Sequence, residues 1–130
     1  MTATLAQDEI RLNIGAGSTV IEGWTPIDRR IGSEAYPLPQ YADDSIEEIR
    51  ASHILEHFSY NEVPLVLKEW IRVLKPGGRI RIAVPDLDRC AVSDDPKRFN
   101  YIMGGQTDEN DFHKSAFTAP VLAEFMADAG

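Results

Sequence analysis

Ile10, Leu12 and Ile14 alternate with polar residues, and the run ends at Gly15-Ala-Gly17. That pattern predicts a strand entering a tight loop. Trp24-Thr-Pro-Ile27 predicts a second short strand that stops at Asp28, with Pro26 suited to an edge or a strand end. Residues 32–45 are rich in Gly, Ser, Pro and Asp around Tyr36-Pro-Leu-Pro39, which predicts a loop packed by its own aromatic and proline side chains. Glu47 to Ser52 forms a third strand leading into a short turn at His53-Ile-Leu-Glu-His57. Val63, Val66, Leu67, Trp70, Ile71 and Leu74 then follow helical spacing and define one continuous apolar face. Ser59 or Asn61 can cap this helix, and Ser59-x-x-Glu62 fits a capping box. Pro64 is tolerable only in a first turn, and Pro76-Gly77-Gly78 marks the stop. Arg79-Ile-Arg-Ile-Ala-Val84 alternates and then becomes apolar, which predicts a strand whose far half is buried on both faces. Asp95-Pro96 opens a short helix to Met103. Thr118 caps a last one, with Val121, Leu122, Phe125 and Met126 on its apolar face.

Strands alternating with helices or long crossovers predict an α/β domain with a mostly parallel sheet and helices on both faces. A chain of 130 residues with 43% hydrophobic residues fits one such domain, residues 1–130. Ligands of these sheets sit beyond the carboxyl ends of the strands, which directs attention to Gly15–Gly17, Asp28, Ser52–His57 and Pro85–Asp86. Composition narrows the partners. Twenty-one acidic and 13 basic residues give a net charge of −8, so binding of nucleic acid by bulk charge is disfavoured. A single cysteine, Cys90, excludes an internal disulfide and a multi-cysteine zinc site. Residues 1–9 lack a basic, apolar leader, and no run approaches the roughly 20 apolar residues of a membrane span. The expectation is a soluble, reduced, cytoplasmic domain.

Gly15-Ala-Gly17 after a strand permits close approach of a ligand to the backbone. Asp28, ending the next strand, can accept hydrogen bonds from both hydroxyls of a ribose. Its alternative is a solvated acid paired with Arg29 or Arg30. Together the two features suggest an adenosine-containing ligand. A dinucleotide needs its pyrophosphate on a full helix that starts at the glycine loop. Only eleven positions separate Gly17 from Asp28, and they include Gly23, Pro26 and the second strand itself. S-adenosylmethionine carries no phosphate, and its sulfonium and ammonium suit an acidic pocket.

The ordered set of motifs resembles the class I S-adenosylmethionine-dependent methyltransferases, nearest to a short branch of the type 11 kind. Leu12-Asn-Ile-Gly-Ala-Gly17 is similar to their glycine-rich cofactor motif and Gly23-Trp-Thr-Pro-Ile-Asp28 to the second strand with its ribose acid. Leu38-Pro and Asp43-Asp-Ser-Ile46 resemble the segment leading toward the adenine. Ala51-Ser-His-Ile-Leu-Glu-His57 resembles the fourth-strand motif, and Arg72 to Val84-Pro85 the helix, turn and fifth strand. The resemblance implies a Rossmann-like fold and S-adenosylmethionine as cofactor. It implies cofactor contacts at Asn13, Gly15, Ala16, Gly17, Asp28, Leu38, Ser52 and His53, with methyl transfer to a small-molecule or glycan acceptor. Asn13 stands where many relatives carry an acid. The first helix is reduced to a loop. The chain stops at Gly130, where the family continues into a final β-hairpin, so a non-catalytic cofactor-binding or partial domain is the second reading. A nucleotide-sugar or NAD site is the third. Without the hairpin, Arg79–Val84 is an exposed strand edge able to pair with a second copy of the chain.

The histidines stay open between roles. Ser52 and His53 suit cofactor contacts or plain turn and capping chemistry. His57, after Ile54-Leu55, suits a partly buried structural group or, with His53, a catalytic base. His53 and His57 have metal-ligand spacing, but no third ligand accompanies them, so no metal is expected. His113, among Asp108, Glu109 and Asp111, reads as a solvated loop side chain or a substrate-side base. Trp70 and Phe125 are assigned to packing.

Overall fold

The structure, a computed structural model, describes residues 9–109 and 111–130. The reading of the N-terminus as free of a leader rests mostly on residues 1–8, outside the described residues. Four parallel strands, β1 (Arg11–Ile14), β2 (Thr25–Ile27), β3 (Ile46–Ser52) and β4 (Leu74–Ala83), form one sheet in the order β2-β1-β3-β4. The helices are α1 (Val63–Val73), α2 (Leu87–Val92), α3 (Arg98–Met103) and α4 (Ala119–Ala129), with 3₁₀ turns at Arg29–Ile31 and Leu55–His57. This is the mostly parallel Rossmann-like α/β architecture expected from the sequence.

The capping box that opens α1 is present. The Ser59 N–H donates to Glu62 Oε1 at 3.2 Å, and the Glu62 N–H donates to Ser59 Oγ at 3.4 Å. The helix stops earlier than the Pro76-Gly77-Gly78 signal. Leu74 is already extended, at φ −69° and ψ 137°, and starts β4 opposite Ile46. The Pro-Gly-Gly run is then accommodated as an irregularity, and regular pairing resumes at Glu48 and Arg79. Helix α2 was not foreseen: six residues are too few to display a period.

The register places Leu12, Ile49 and Ile80 side by side, then Ile14, Ala51 and Ile82. These residues share one face of the sheet. Against it pack Val63, Val66, Leu67, Trp70 and Val73 of α1, with Phe117 and the Leu122, Phe125, Met126 and Ala129 stripe of α4. Full burial of each such aliphatic side chain contributes roughly 1.5–3 kcal/mol. The alternate residues form a polar second face. Glu48 receives Arg11 at 3.6 Å and Arg81 at 3.3 Å, and Arg50 Nη1 donates to Asn13 Oδ1 at 3.0 Å. Neither crossover around β2 holds an α-helix, so both long helices share the apolar face. Arg79, Arg81 and Ala83 are exposed. The far half of β4 is therefore not buried on both faces: the alternation of exposed and partly buried residues continues to Ala83. Among the described residues nothing pairs with the outer side of β4, and no helix is long and apolar enough to cross a membrane.

The loop of residues 32–45 is tied down by α1 as well as by its own packing. Trp70 Nε1–H donates to the Ala35 carbonyl at 2.9 Å. Arg72 Nη2 donates to the carbonyls of Leu38 and Tyr41, both at 3.1 Å. Arg72 also meets Glu69 and Asp43 at 2.7 Å each, and its guanidinium is held above the ordinary arginine range by hydrogen bonds first to Glu69 and then to Asp43. Trp70 is fully buried, so Trp70→Phe keeps most of the packing and leaves the Ala35 carbonyl unpaired. The expected cost is about 1–3 kcal/mol, read as a lower urea midpoint with unchanged slope.

Candidate functional site

Strands β1 and β3 end level with one another, Ile14 beside Ala51. The glycine loop and the 53–57 turn therefore leave the sheet side by side. Gly15 has φ +73°, and a Cβ there would lie 2.9 Å from Ile54 Cβ, so only glycine fits. Gly17 has φ +58° and open space where a Cβ would be. The three N–H groups of this loop all point to the end of β2. Gly15 and Ala16 donate to the Ile27 carbonyl at 2.7 and 3.2 Å, and Gly17 donates to Asp28 Oδ2 at 2.7 Å. Asp28 Oδ1 accepts from the Arg30 N–H at 2.9 Å and so caps the turn that follows. No N–H of Gly15–Gly17 is left to cradle a phosphate, and no α-helix begins there.

A cleft of about 760 Å³ opens beside this loop. Gly15, Gly17, Asp28, Tyr36, Ile54, His57 and Phe58 form one side, and Thr107 to Glu109, Asp111, Phe112 and Lys114 contribute the other. The fold thus brings Gly15, Gly17, Asp28 and His57 together along it and places the other candidates elsewhere. Ala16 is buried, with its N–H already used. Asn13 is buried on the polar face, where Arg50 occupies its carbonyl oxygen. Leu38 is fully buried, and its N–H donates to Glu69 Oε2 at 2.8 Å. Ser52 is paired with Ala83 within the sheet. His53 has φ +57° and turns toward Glu56, with 63% of its side chain exposed. None of these five lines the cleft.

Sequence reasoning passed over Glu56. It is 1% exposed, and among the described residues neither carboxylate oxygen has a hydrogen-bond partner. His53 Nδ1 lies 3.5 Å from its Oε2 and His113 Nε2 lies 3.9 Å away. His113 is no solvated loop side chain. Only 11% of its side chain is exposed, and its Nδ1 is 3.2 Å from the Ile102 carbonyl. The Glu56 carbonyl accepts from the N–H groups of Lys114 and Ser115 at 2.8 and 3.1 Å, which brings this distant segment over the turn. His57 and His113 meet edge to face, with ring centroids 4.8 Å apart. The third group that the His53 and His57 pair lacked in the sequence thus arrives in space, beside Glu56 and His57. The run His53-x-x-Glu-His57 was the only local signal, and nothing in it points to residue 113.

Burial pushes the Glu56 carboxyl from an ordinary 4.5 up to about 7. Between those values the folded chain holds a proton that the unfolded chain has lost. Stability is therefore expected to fall as pH rises through that window. Glu56→Gln should remove this component of the slope, which urea midpoints measured below and above the window will show.

Residues 25–82 match the sequence pattern of a methyltransferase domain family. The sequence matches no curated protein significantly. Among solved structures, a chain from the complex between the Haloferax volcanii Trm112 methyltransferase activator and a methyltransferase superposes with a TM-score of 0.65 at 18% identity, covering 99% of this chain and 66% of that one. A SAM-dependent methyltransferase from Thermotoga maritima gives 0.64 at 19%, covering 93% and 63%. One from Archaeoglobus fulgidus gives 0.64 at 17%, covering 94% and 60%. The chain therefore spans less than two thirds of the length of these neighbours. It has the fold of the class I S-adenosylmethionine-dependent methyltransferases and carries, over residues 25–82, the sequence pattern of a methyltransferase domain.

Proposed function

We propose that the chain binds S-adenosylmethionine against Gly15, Gly17 and Asp28 and transfers its methyl group to a small-molecule or glycan acceptor in the cleft. The observation that carries this reading is the use of all three glycine-loop N–H groups by the end of β2. A nucleoside without phosphate fits such a loop, and a dinucleotide does not. Each Asp28 oxygen accepts one backbone N–H and retains a second acceptor direction for a ribose hydroxyl. Gly17, open where a side chain would stand, lets the ligand approach the backbone. Held by Gly15, Gly17 and Asp28, the cofactor would supply an electrophilic methyl group on cationic sulfur, with a neutral thioether as the leaving group.

The residues of the chain then have modest tasks. Tyr36, Phe58 and Phe112 give the cleft apolar walls that exclude water, and the loop and Asp28 hold the reacting ends in line. An acceptor hydroxyl must also lose a proton. Of the three histidines open to a base role, His57 lines the cleft while His53 and His113 do not, so the base role belongs to His57. The second reading, a cofactor-binding domain without turnover, shares the same binding site.

Calorimetry should show S-adenosylhomocysteine binding at least about tenfold more tightly than NAD. Asp28→Asn, which keeps one acceptor for the turn cap but loses the charge, should weaken S-adenosylhomocysteine by about tenfold or more. NAD binding as tightly as S-adenosylhomocysteine, or unchanged affinity in a folded Asp28→Asn, would end this reading.

The exposed edge of β4 remains the proposed contact for self-association. Its backbone is unpaired on the outer side among the described residues. Light scattering across a dilution series should show mass rising with concentration. A strict monomer at high concentration argues that Arg79 and Arg81 suffice to block edge pairing.

A further inference from the structure

We propose that Glu56, His57 and His113 form a binding site for a divalent transition-metal ion of the zinc class. Each residue offers one ligand atom, and the three atoms lie within 4.8 Å of one another. Two imidazole nitrogens and a carboxylate oxygen are a donor set suited to such ions. The 3.9 Å between His113 Nε2 and Glu56 Oε2 is too wide for a hydrogen bond. It is within the span of two metal–ligand bonds of about 2.0–2.2 Å each. His57 needs only a small side-chain adjustment to close the set.

Three further observations support the site. A cavity of about 10 Å³ lies against Glu56 and His113, the size of one water or ion. His57 lines the large cleft instead, so the three groups stand between the two spaces. The contact between His113 Nδ1 and the Ile102 carbonyl fixes the proton on Nδ1 and leaves the Nε2 lone pair facing Glu56. That outer hydrogen bond is what ligating histidines generally make. The Glu56 carboxylate is buried, and among the described residues neither of its oxygens has a hydrogen-bond partner, a position in which a cation would offset its desolvation. The backbone clamp of residues 114 and 115 on Glu56 holds the two halves of the site together.

The binding site stands apart from the reaction. Its use rests on the methyl-transfer reading, with the ion in place of His57 as the group that activates the acceptor: His57 bound to the ion no longer takes a proton, and an acceptor oxygen or thiol on the ion would lose its proton to solvent more readily.

The test uses the full chain, stripped with chelator and titrated with Zn²⁺ by calorimetry and with Co²⁺ by visible absorption. One equivalent should bind, and Co²⁺ should show the bands of a low-coordinate nitrogen and oxygen site. The chain has three histidines, so imidazole nitrogen resonances resolve them. Those of His57 and His113 should move on adding Zn²⁺. Glu56→Gln and His113→Gln should each weaken Zn²⁺ by at least about tenfold. Failure of the wild-type chain to take up either ion overturns the site. So do a shift confined to His53 and unchanged affinity in both variants. Should a variant fail to fold, the wild-type resonances decide alone. S-adenosylhomocysteine calorimetry on the same samples separates the two readings. Cofactor binding without metal uptake removes only the metal site, and metal uptake without cofactor binding removes only the methyl-transfer reading.

Discussion

The contact between Gly15 and Ile54 is the constraint on which the site depends. Two parallel strands that end level must send their chains out through the same gap. A side chain at residue 15 would meet Ile54 at once, so glycine lets the loop and the turn pass. The loop then has one direction left, toward β2, and its N–H groups close onto Ile27 and Asp28. That closure removes a phosphate cradle and presents a carboxylate in its place. Ligand preference here follows from where backbone donors are already used, more than from which side chains are present.

The far wall of the cleft has a different origin. Its residues 107–109, 111, 112 and 114 come from a segment of short helices and loops after β4, held at its end by the Glu56 carbonyl and by the bridge between Asp86 and Phe117. Tyr60 adds a second link, accepting from the Ala116 N–H and donating to its carbonyl. The turn after β3 is thus both the floor of the cleft and the anchor of its lid. Burial of Glu56 is a consequence of that docking.

Much of this was legible in the sequence. Alternation placed all four strands within a few residues, except that β4 begins five residues earlier, where Leu74 leaves the helix. Gly15, Gly17 and Asp28 lie close along the chain, and their meeting follows from local spacing. The side chain of Leu38 lies in the core and not on the cleft, because a resemblance carries the position of a segment and not the direction of its side chain. Asn13 and Ser52 fall on the face opposite the core, set by strand parity that a motif does not display. Glu56 and His113 escaped for another reason. Their proximity rests on backbone hydrogen bonds between residues nearly 60 positions apart, and no periodicity carries that information.

The polar face of the sheet has a consequence for how faithfully the chain folds. Arg11, Arg50 and Arg81 alternate with Leu12, Ile49 and Ile82 on three adjacent strands. A slip of one residue in any of these pairings would turn arginines toward α1 and isoleucines or leucines toward water. Each buried, unpaired guanidinium costs several kcal/mol, so misregistered sheets lie far above the native one. In a short sheet with few strands to average over errors, the ion ladder around Glu48 serves as a reading frame: it selects the single alignment in which the glycine loop and the turn after β3 emerge at the same height.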